Sequence, residues 1–390
     1  MKSGIVWDVL IVGAGLAGSV AAAVLGRKGL RVALIDPRHA YPTCFKAEKI
    51  EPDQAELFRK FGLLEGLMPL SSRIHEVLSA RKDVALRTLS LEQYGIFYHD
   101  MVNGVRGQIP PSVTSIVARV QGISTDAQAA CVQLASGKEL RGRVVALACG
   151  TGGHLHAALG VKKRLVSKGH SLAIGFNLVR EDHGPFPFDG LTYYSDGFDG
   201  HTAFLTLFPI REVMRANYFI YRAPGEDWVR RFANDPRQAL LQALPDLERF
   251  TGRVKIPGRV EMSVIDLYRT ENYLRPGAVV LGDAFQSVCP STGTGVSKVL
   301  TDVDVFCELL PGWLSTPGME VSKIAQFYAH SRKRACDRKS LRKSQHTRRL
   351  ATESSLPWVL YRELRFLGMQ LVGRVSSRMH FPRVSRSYMP

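Results

Sequence analysis

A glycine-rich stretch late in the chain, Gly282–Gly295, combines residue types that suit an anionic or electron-rich ligand. It follows an apolar run typical of a β-strand, Ala278–Leu281, and precedes the helical pattern of Val296–Leu310. A glycine-rich turn that opens a helix presents free backbone N–H groups at the positive end of the helix dipole. Asp283, just past the predicted strand, has a carboxylate that can accept hydrogen bonds from a polyol. The stretch therefore predicts a ligand site between a strand end and a helix start.

A second glycine motif lies near the beginning of the chain. The motif Gly-x-Gly-x-x-Gly is formed by Gly13, Ala14, Gly15, Leu16, Ala17 and Gly18. A predicted strand, Asp8–Val12, precedes it, and a predicted helix, Ser19–Arg27, follows. A second strand, Arg31–Ile35, ends on the acid Asp36, which completes the context in which this motif binds a dinucleotide. In such a unit the glycines admit a pyrophosphate and the acid holds the adenosine ribose. An ordinary βαβ unit without a ligand is the alternative.

Together the two motifs resemble those of the FAD-dependent aromatic hydroxylases, the group A flavoprotein monooxygenases of the p-hydroxybenzoate and ubiquinone-pathway type. The second fingerprint of that family runs Gly-Asp-Ala, Pro, Gly-x-Gly, a polar residue and a later Asp. The matching residues are Gly282, Asp283, Ala284, Pro290, Gly293, Gly295, Ser297 and Asp302. Gln286 and Ser297 stand where the family usually has His and Asn. The resemblance covers roughly residues 5–310.

The resemblance implies bound FAD and assigns parts of it to particular residues. Asp283 would bind the ribityl chain, and Gly282 beside it is also expected to bind the cofactor. The residues assigned to the isoalloxazine ring are Pro290, Gly293, Thr294 and Gly295. Val120 would lie beside the adenine. Lys46 or Lys49 would contact the pyrophosphate, where the family usually has Arg, and a solvated surface lysine is the alternative for each.

The segment Ala148–His156 departs from the family pattern. The family has Ala-Asp-Gly-x-x-Ser-x-x-Arg there, a motif that serves both FAD and NAD(P)H, whereas this chain has Cys149, Gly153 and His156 in place of Asp, Ser and Arg. The groups expected to organise a pyridine nucleotide are therefore missing. The electron source is expected to be either NAD(P)H or a separate flavin reductase. A small buried residue at a strand end is the alternative interpretation of Cys149.

The order of predicted strands and helices around these motifs predicts an α/β fold. We expect a Rossmann-type FAD-binding domain with an inserted antiparallel-sheet substrate domain and a helical C-terminus. The FAD-binding domain is predicted to be discontinuous, with residues 1–70, 95–165 and 275–310. The substrate domain is predicted to comprise residues 71–94 and 166–274, and the basic C-terminal region residues 311–390.

The predicted substrate domain is rich in aromatic and threonine residues. Its strand-like runs are Ser171–Arg180, Leu191–Tyr194, Thr202–Pro209 and Val213–Tyr221, and a helix is predicted over Trp228–Leu244. An aromatic wall facing the flavin is expected from Phe176, Phe186, Phe188, Tyr193, Tyr194, Phe204 and Phe208. A sheet core with no role toward a ligand is the alternative.

The composition is that of an ordinary globular protein. The chain has 390 residues, enough for two joined domains, with 45% hydrophobic and 22% charged residues. Its six cysteines have no CxxC or metal-ligand spacing, so we expect reduced thiols in the cytoplasm, with no disulfide framework and no metal. Asp8 interrupts the apolar run at the N-terminus, which argues against a targeting signal.

Positive charge is concentrated near the C-terminus. The chain has 52 basic and 35 acidic residues, a net charge of +17, and nine of the basic residues lie between 332 and 349. The apolar, aromatic segment Glu353–Val375 follows and contains Arg362, Arg365 and Arg374. This pairing is typical of an interfacial helix on anionic lipid, or of contact with an acidic protein. A helix packed on the FAD-binding domain with a solvated basic face is the alternative. Nucleic acid is disfavoured because no binding motif surrounds the charge.

The resemblance implies an FAD-dependent monooxygenase that hydroxylates an electron-rich aromatic or related substrate through a flavin C4a-hydroperoxide. The substrate would be a small molecule or a group carried on a protein. Reduction of a C=C bond and modification of a partner protein are the alternatives, since fold does not determine function. The Trp-x-Trp-x-Ile-Pro segment of flavin halogenases is missing from the sequence. No general base has support in the sequence, so no catalytic residue is assigned.

Overall fold

The computed structural model describes residues 7–195 and 201–379, including side chains except those of 375–379. The strands are β1 (Trp7–Val12), β2 (Val32–Asp36), β3 (Lys49–Ile50), β4 (Ser72–Arg81), β5 (Val84–Gly95), β6 (Thr114–Val117), β7 (Val120–Thr125), β8 (Ala130–Leu134), β9 (Glu139–Leu147), β10 (Lys162–Arg180), β11 (Gly190–Tyr194), β12 (Thr202–Ile210), β13 (Val213–Ile220), β14 (Val254–Lys255), β15 (Glu261–Glu271) and β16 (Ala278–Val280). The helices are α1 (Leu16–Arg27), α2 (Pro52–Lys60), α3 (Tyr98–Arg106), α4 (His154–Ala158), α5 (Asp227–Asn234), α6 (Pro236–Ala243), α7 (Glu248–Thr251), α8 (Gly295–Leu314), α9 (Val321–Ala329), α10 (Ser331–Thr352) and α11 (Leu356–Met379). These elements confirm the α/β prediction.

The first sheet has the strand order β6-β2-β1-β9-β8-β7, and β16 also pairs with β9. Its β6, β2, β1, β9 and β16 are parallel, whereas β7, β8 and β9 form an antiparallel meander. Val9–Val12 of β1 is almost fully buried, as expected for a parallel strand covered on both faces. Thr114–Val117 of β6 pairs in parallel with β2, and the antiparallel meander begins only with β7 at Val120.

The second sheet has the order β14-β10-β13-β12-β11-β4-β5-β3, and β15 also pairs with β10. Its pairs are antiparallel except that β11 runs parallel to β4. β3 and the beginning of β10 come from segments predicted for the FAD-binding domain, yet they pair in this sheet. The exact domain boundaries stay a prediction.

The expected aromatic wall is divided between the two sides of this sheet, because side chains alternate along a strand. Those on the side covered by α5 and α6 are Phe176, Phe186, Phe188 and Tyr193. The strand residues on the opposite face are Tyr194, Phe204 and Phe208. The latter face also carries Arg215, which pairs in register with Phe208. A single wall formed by all seven aromatic residues is therefore wrong.

The single helix predicted over Trp228–Leu244 is two helices, α5 and α6. The break falls at Asp235–Pro236, since proline has no N–H to continue a helix but suits its first position. The Asp235 side chain accepts a hydrogen bond from the backbone N–H of Gln238 and so caps α6. Proline and the capping acid together explain why the helical pattern is interrupted there.

The C-terminal region is helical in its described part, which ends at residue 379, as predicted. α10 packs on α8, and α11 packs along β5 of the second sheet. Packing of the last helix on the FAD-binding domain is therefore the wrong alternative. Among the described residues no helix is both long and apolar enough to span a membrane.

Candidate functional site

A cleft lies over the carboxyl ends of β1, β2 and β9, where ligands bind in parallel α/β sheets. The predicted site residues that line it are Gly13, Gly15, Leu16, Ala17, Asp36, Lys46, Val120 and Asp283. Residues near the beginning of the chain, such as Gly13 and Asp36, thus line the same cleft as Asp283, which is far away in the sequence. The predicted site residues outside its lining are Ala14, Gly18, Gly282, Pro290, Gly293, Thr294 and Gly295.

At Gly13 and Gly18 of the first motif, the backbone of another residue lies too close for any larger side chain. Gly13 has φ of +102°, and a Cβ there would lie 2.6 Å from the carbonyl oxygen of Ala148. A Cβ on Gly18 would lie 1.8 Å from the carbonyl oxygen of Gly13, so only glycine lets α1 pack on the turn. Gly15 has open space, with Tyr41 no nearer than 3.9 Å to its Cβ position. A ligand can therefore approach the backbone at Gly15.

Asp36 is held in place at the end of β2. Its Oδ2 accepts a hydrogen bond from the backbone N–H of Ala14 at 2.8 Å, and its Oδ1 accepts one from that of Arg38 at 2.9 Å. Arg106 of α3 lies 3.7 Å from the same carboxylate and donates from Nε to the carbonyl oxygen of Ala14 at 2.8 Å. The sequence did not indicate Arg106, because no local pattern connects α3 to the first motif.

The structure separates the two lysines considered for a pyrophosphate contact. Lys46 lines the cleft, and its ammonium lies 5.3 Å from the ring centre of Tyr98. Burial lowers the pKa of Lys46, but Tyr41 and Asp283 raise it more, so its pKa stands above the usual value. Lys49 forms an ion pair of 2.9 Å with Glu51 instead and faces the second sheet. Lys46 is therefore the lysine of the two that belongs to the cleft.

A buried group of four charges supports the turn that carries Asp283. This lysine–aspartate cluster comprises Lys298, Asp302, Lys333 and Asp337. Asp302 accepts a hydrogen bond from the backbone N–H of Gly282 at 2.9 Å, and Lys298 donates to the Gly282 carbonyl oxygen at 3.1 Å. Lys333 of α10 lies 2.8 Å from Asp302. Lys333 therefore belongs to the interior, although the sequence places it in the basic run.

Opposite charges keep Asp302 and Lys298 of the cluster ionised despite their burial. Burial raises the pKa of Asp302, but the ammonium groups of Lys298 and Lys333 more than offset this, so its pKa is lowered. Burial likewise opposes charge on Lys298, and the carboxylates of Asp302 and Asp337 reverse the effect and raise its pKa. The turn at Gly282 is thus fixed from both its N–H and its C=O by charged side chains.

The turn from Pro290 to Gly295 is fixed by contacts from distant segments. Gly293 has φ of +67° and its carbonyl oxygen accepts a hydrogen bond from Gln54 at 2.8 Å. Lys343 of α10 donates to the carbonyl oxygen of Thr292 at 2.6 Å. Since the cleft lining does not extend to this turn, its contact with a flavin ring stays a prediction.

The face of the second sheet that carries Phe204 and Phe208 also carries a buried ion pair. Arg215 of β13 donates from Nε and Nη2 to the two carboxylate oxygens of Glu48, at 2.7 and 3.0 Å, and from Nη2 to Glu261 at 2.5 Å. Burial raises the pKa of Glu48 to about 7, and Arg215 offsets only part of that effect. The pair joins the segment that follows Asp36 to the second sheet. Sequence reasoning missed it, because 167 positions separate the two residues.

The segment that departs from the family pattern contributes to the cleft, and its Cys149 and His156 are uncharged near neutral pH. The buried His156 ring lies with Nε2 2.8 Å from the carbonyl oxygen of Ala284, and burial lowers its pKa. His156 therefore contacts the second glycine motif as a neutral imidazole. Cys149 lines the cleft, and burial raises the pKa of its thiol to about 11. It is therefore protonated near neutral pH rather than a thiolate nucleophile.

Comparisons with known proteins agree with this geometry. Residues 6–102 match the family model described as an FAD binding domain. No curated protein matches the chain. A solved structure of p-nitrophenol 4-monooxygenase PnpA from Pseudomonas putida DLL-E4 is 15% identical, with 97% of each chain covered and a TM-score of 0.77.

Two further solved structures have the same fold. A variant of HpxO from Klebsiella pneumoniae, complexed with FAD, is 15% identical, with 96% of this chain and 97% of that chain covered and a TM-score of 0.69. The flavin-dependent brominase Bmp2 is 16% identical, with coverage of 96% and 90% and a TM-score of 0.66. At these identities the likeness concerns the fold. The chain therefore has an FAD-binding domain and the fold shared by FAD-dependent monooxygenases, which confirms the resemblance recognised in its sequence.

Proposed function

We propose that the protein is an FAD-dependent monooxygenase that hydroxylates an electron-rich aromatic or related substrate. The observation that carries the proposal is that the first glycine motif and Asp283 of the second motif line one cleft, with Asp36 at one part of the lining and Asp283 at another. The family model for an FAD binding domain and the fold of PnpA and HpxO support it. Together they favour an FAD-dependent oxidoreductase over a protein without redox chemistry.

The residues of the cleft fit the parts of FAD. Asp36, already oriented by Ala14, would accept hydrogen bonds from the adenosine ribose. The open backbone at Gly15 and the start of α1, which has no acid in its first turn, would hold the pyrophosphate. Lys46 would add a positive charge, and Asp283 would accept hydrogen bonds from the ribityl hydroxyls. When bound and reduced, FAD supplies the reaction with dioxygen.

On the side of the second sheet that carries the buried ion pair, the chain has aromatic side chains of the kind that suits an aromatic substrate. Phe204 is half-buried on this face, whereas Phe208 is only 2% exposed. The Glu48–Arg215 pair fixes the position of this face relative to the segment that contains Lys46. Its two side chains are only 2% and 4% exposed, so water has little access to the pair.

Asp283→Ala is expected to raise the dissociation constant of FAD about tenfold or more, because a hydrogen bond to a charged group contributes about 1.5–3 kcal/mol. Fluorescence titration of FAD into the apoprotein measures this constant. Asp227→Ala is the matched control, since the Asp227 side chain is 77% exposed on α5. An unchanged constant in a folded Asp283→Ala protein would remove Asp283 from the site.

NADPH alone is expected to reduce the bound flavin slowly, whereas an added flavin reductase should support turnover. The reason is that Cys149 and His156 are uncharged and stand where the resembled family has Asp and Arg. Stopped-flow absorbance follows flavin reduction, and an oxygen electrode with mass spectrometry follows incorporation of ¹⁸O₂ into candidate aromatic substrates. Reduction by NADPH at rates on the order of 10 per second would contradict the first expectation.

The same assay separates the proposal from its alternatives. A product that gains two hydrogens and no ¹⁸O would indicate reduction of a C=C bond. Labelling of a partner protein instead of a free aromatic compound would indicate a flavoprotein that modifies proteins. Oxygen in a small or carrier-bound aromatic product supports the monooxygenase.

A further inference from the structure

The last helix, α11, is attached to the second sheet by one face only. Phe366 and Met369 are buried against Leu86. Arg81 forms two hydrogen bonds with the carboxylate of Glu363, at 2.8 and 2.7 Å, and its guanidinium lies 4.2 Å from the ring centre of Phe366. These contacts orient the helix about its axis and leave the opposite face without packing partners from the described chain.

That opposite face is a continuous apolar stripe. The leucine stripe comprises Leu356, Leu360, Leu364, Leu367 and Leu371, each between 51% and 68% exposed. Their spacings of three and four residues place them on one side of the helix, over a length of about 22 Å at 1.5 Å per residue. Of the thirteen large hydrophobic residues exposed in the described chain, seven lie on α11. Isolated exposed leucines are ordinary, but a contiguous patch indicates an interaction surface.

Aromatic side chains lie at the beginning of the stripe, and the neighbouring helix α10 carries positive charge. The rings of Trp358 and Tyr361 each lie 5.7 Å from the ring of His346, which places the beginning of α11 against α10. The exposed basic residues of α10 include Arg334, Arg338, Lys339, Arg342 and Arg349. The acids Asp337 and Glu363 are paired with Lys333 and Arg81.

We propose that α11 is a membrane-docking helix, which lies on an anionic bilayer with the leucine stripe inserted at the boundary between headgroups and acyl chains. Leucines on one face, aromatic rings beside them and nearby cations are the features of a helix that binds in the plane of such a surface. Anionic headgroups complement the charge around the stripe, and each basic residue near the surface strengthens the attraction. A second copy of the chain would bring two basic surfaces together, so charge favours lipid over self-association.

Co-sedimentation of the full-length, FAD-loaded protein with vesicles tests the proposal. We expect binding to vesicles that contain about 30% phosphatidylserine and little binding to pure phosphatidylcholine. Binding should weaken as salt rises, because exposed charges are screened over about 8–10 Å at physiological ionic strength. A remainder should persist at high salt because the leucine stripe is inserted. Equal binding to both kinds of vesicle, or no binding to either, would overturn the proposal.

Two triple variants isolate the contribution of the stripe. Leu360→Ser, Leu364→Ser and Leu367→Ser together are expected to reduce vesicle binding at least tenfold and to leave FAD retention unchanged. The control combines Val117→Ser, Leu165→Ser and Leu274→Ser, which are also exposed but lie outside α11, and it should bind as the original protein does. Undiminished binding by the stripe variant would overturn the proposal. Analytical ultracentrifugation tests the remaining alternative. If the original protein is a dimer and the stripe variant is a monomer, the stripe binds a second copy of the chain instead.

Discussion

Arg215→Ala is expected to lower the free energy of unfolding by about 3–5 kcal/mol near pH 8, because it leaves the buried carboxylate of Glu48 without its cation. Arg215 and Glu48 have side chains only 4% and 2% exposed, so water cannot replace the lost partner. Urea unfolding followed by tryptophan fluorescence measures the change. Arg230→Ala is the matched control, since Arg230 and its partner Asp227 are 67% and 77% exposed and such a pair contributes at most about 1 kcal/mol.

The loss of unfolding free energy in Arg215→Ala should be larger at high pH than at low pH. The pKa of Glu48 is about 7 in the folded protein, against a usual value of 4.5. Between these two pH values the folded state therefore holds a proton on Glu48 that the unfolded state has released. The contribution of Glu48 to stability is therefore largest below the lower value and is lost as pH rises through the higher one. Removing Arg215 raises the folded pKa further, so the deficit should be small near pH 5 and large near pH 8. An equal deficit at both values would mean that lost packing of the arginine, not the uncompensated charge, causes it.

Asp302→Asn is expected to lower the free energy of unfolding nearly as much as Arg215→Ala does, and to weaken FAD binding as well. The substitution keeps the shape of the side chain but leaves two ammonium groups, 0% and 1% exposed, with Asp337 as their remaining carboxylate partner. Breaking a buried ion pair costs about 3–5 kcal/mol. Because Asp302 also holds the N–H of Gly282, Asp283 should lose its fixed position, and FAD should dissociate more readily.

Thermal unfolding with and without added FAD measures both effects. Asp304→Asn, two residues along the same helix, is the matched control. Its carboxylate contacts Lys60 and Arg332, whose side chains are 55% and 43% exposed, so water can solvate them when the charge is removed. Equal losses in the two variants would show that the lysine–aspartate cluster has no special role in positioning Asp283.

The sequence predicted those parts of the site that depend on neighbouring residues. Gly13, Gly15 and Asp36 lie within one βαβ unit, so their spacing alone predicted the turn, the helix start and the acid. Gly282 and Asp283 were recognised because the same local order of strand, turn and helix surrounds them. Both motifs are where they were expected relative to their elements, and Asp283 joins the first motif in one cleft because β16, which precedes it, lies parallel to β9 in the first sheet.

Contacts between distant segments were not predictable in this way. Arg106, Arg215 and Lys333 each reach a carboxylate on another element, and nothing in their local sequence distinguishes them from surface cations. The basic run of α10 shows the difference, since Lys333 is buried and Lys343 donates to a backbone carbonyl oxygen, while Arg338 and Arg342 are exposed. Charge counted along the chain cannot tell these residues apart, because the helical face that each occupies depends on how α10 packs.

The lysine–aspartate cluster has a consequence for the time during synthesis at which the cleft can form. Lys298 and Asp302 leave the ribosome well before Lys333, so a nascent chain that ends within α9 holds the second glycine motif without its complete set of charges. Lys343, which holds the carbonyl oxygen of Thr292, emerges later still. Domains that fold during synthesis generally do so as whole units. Assembly of this cleft is therefore expected to wait for α10, and the flavin is expected to enter only after that helix has emerged.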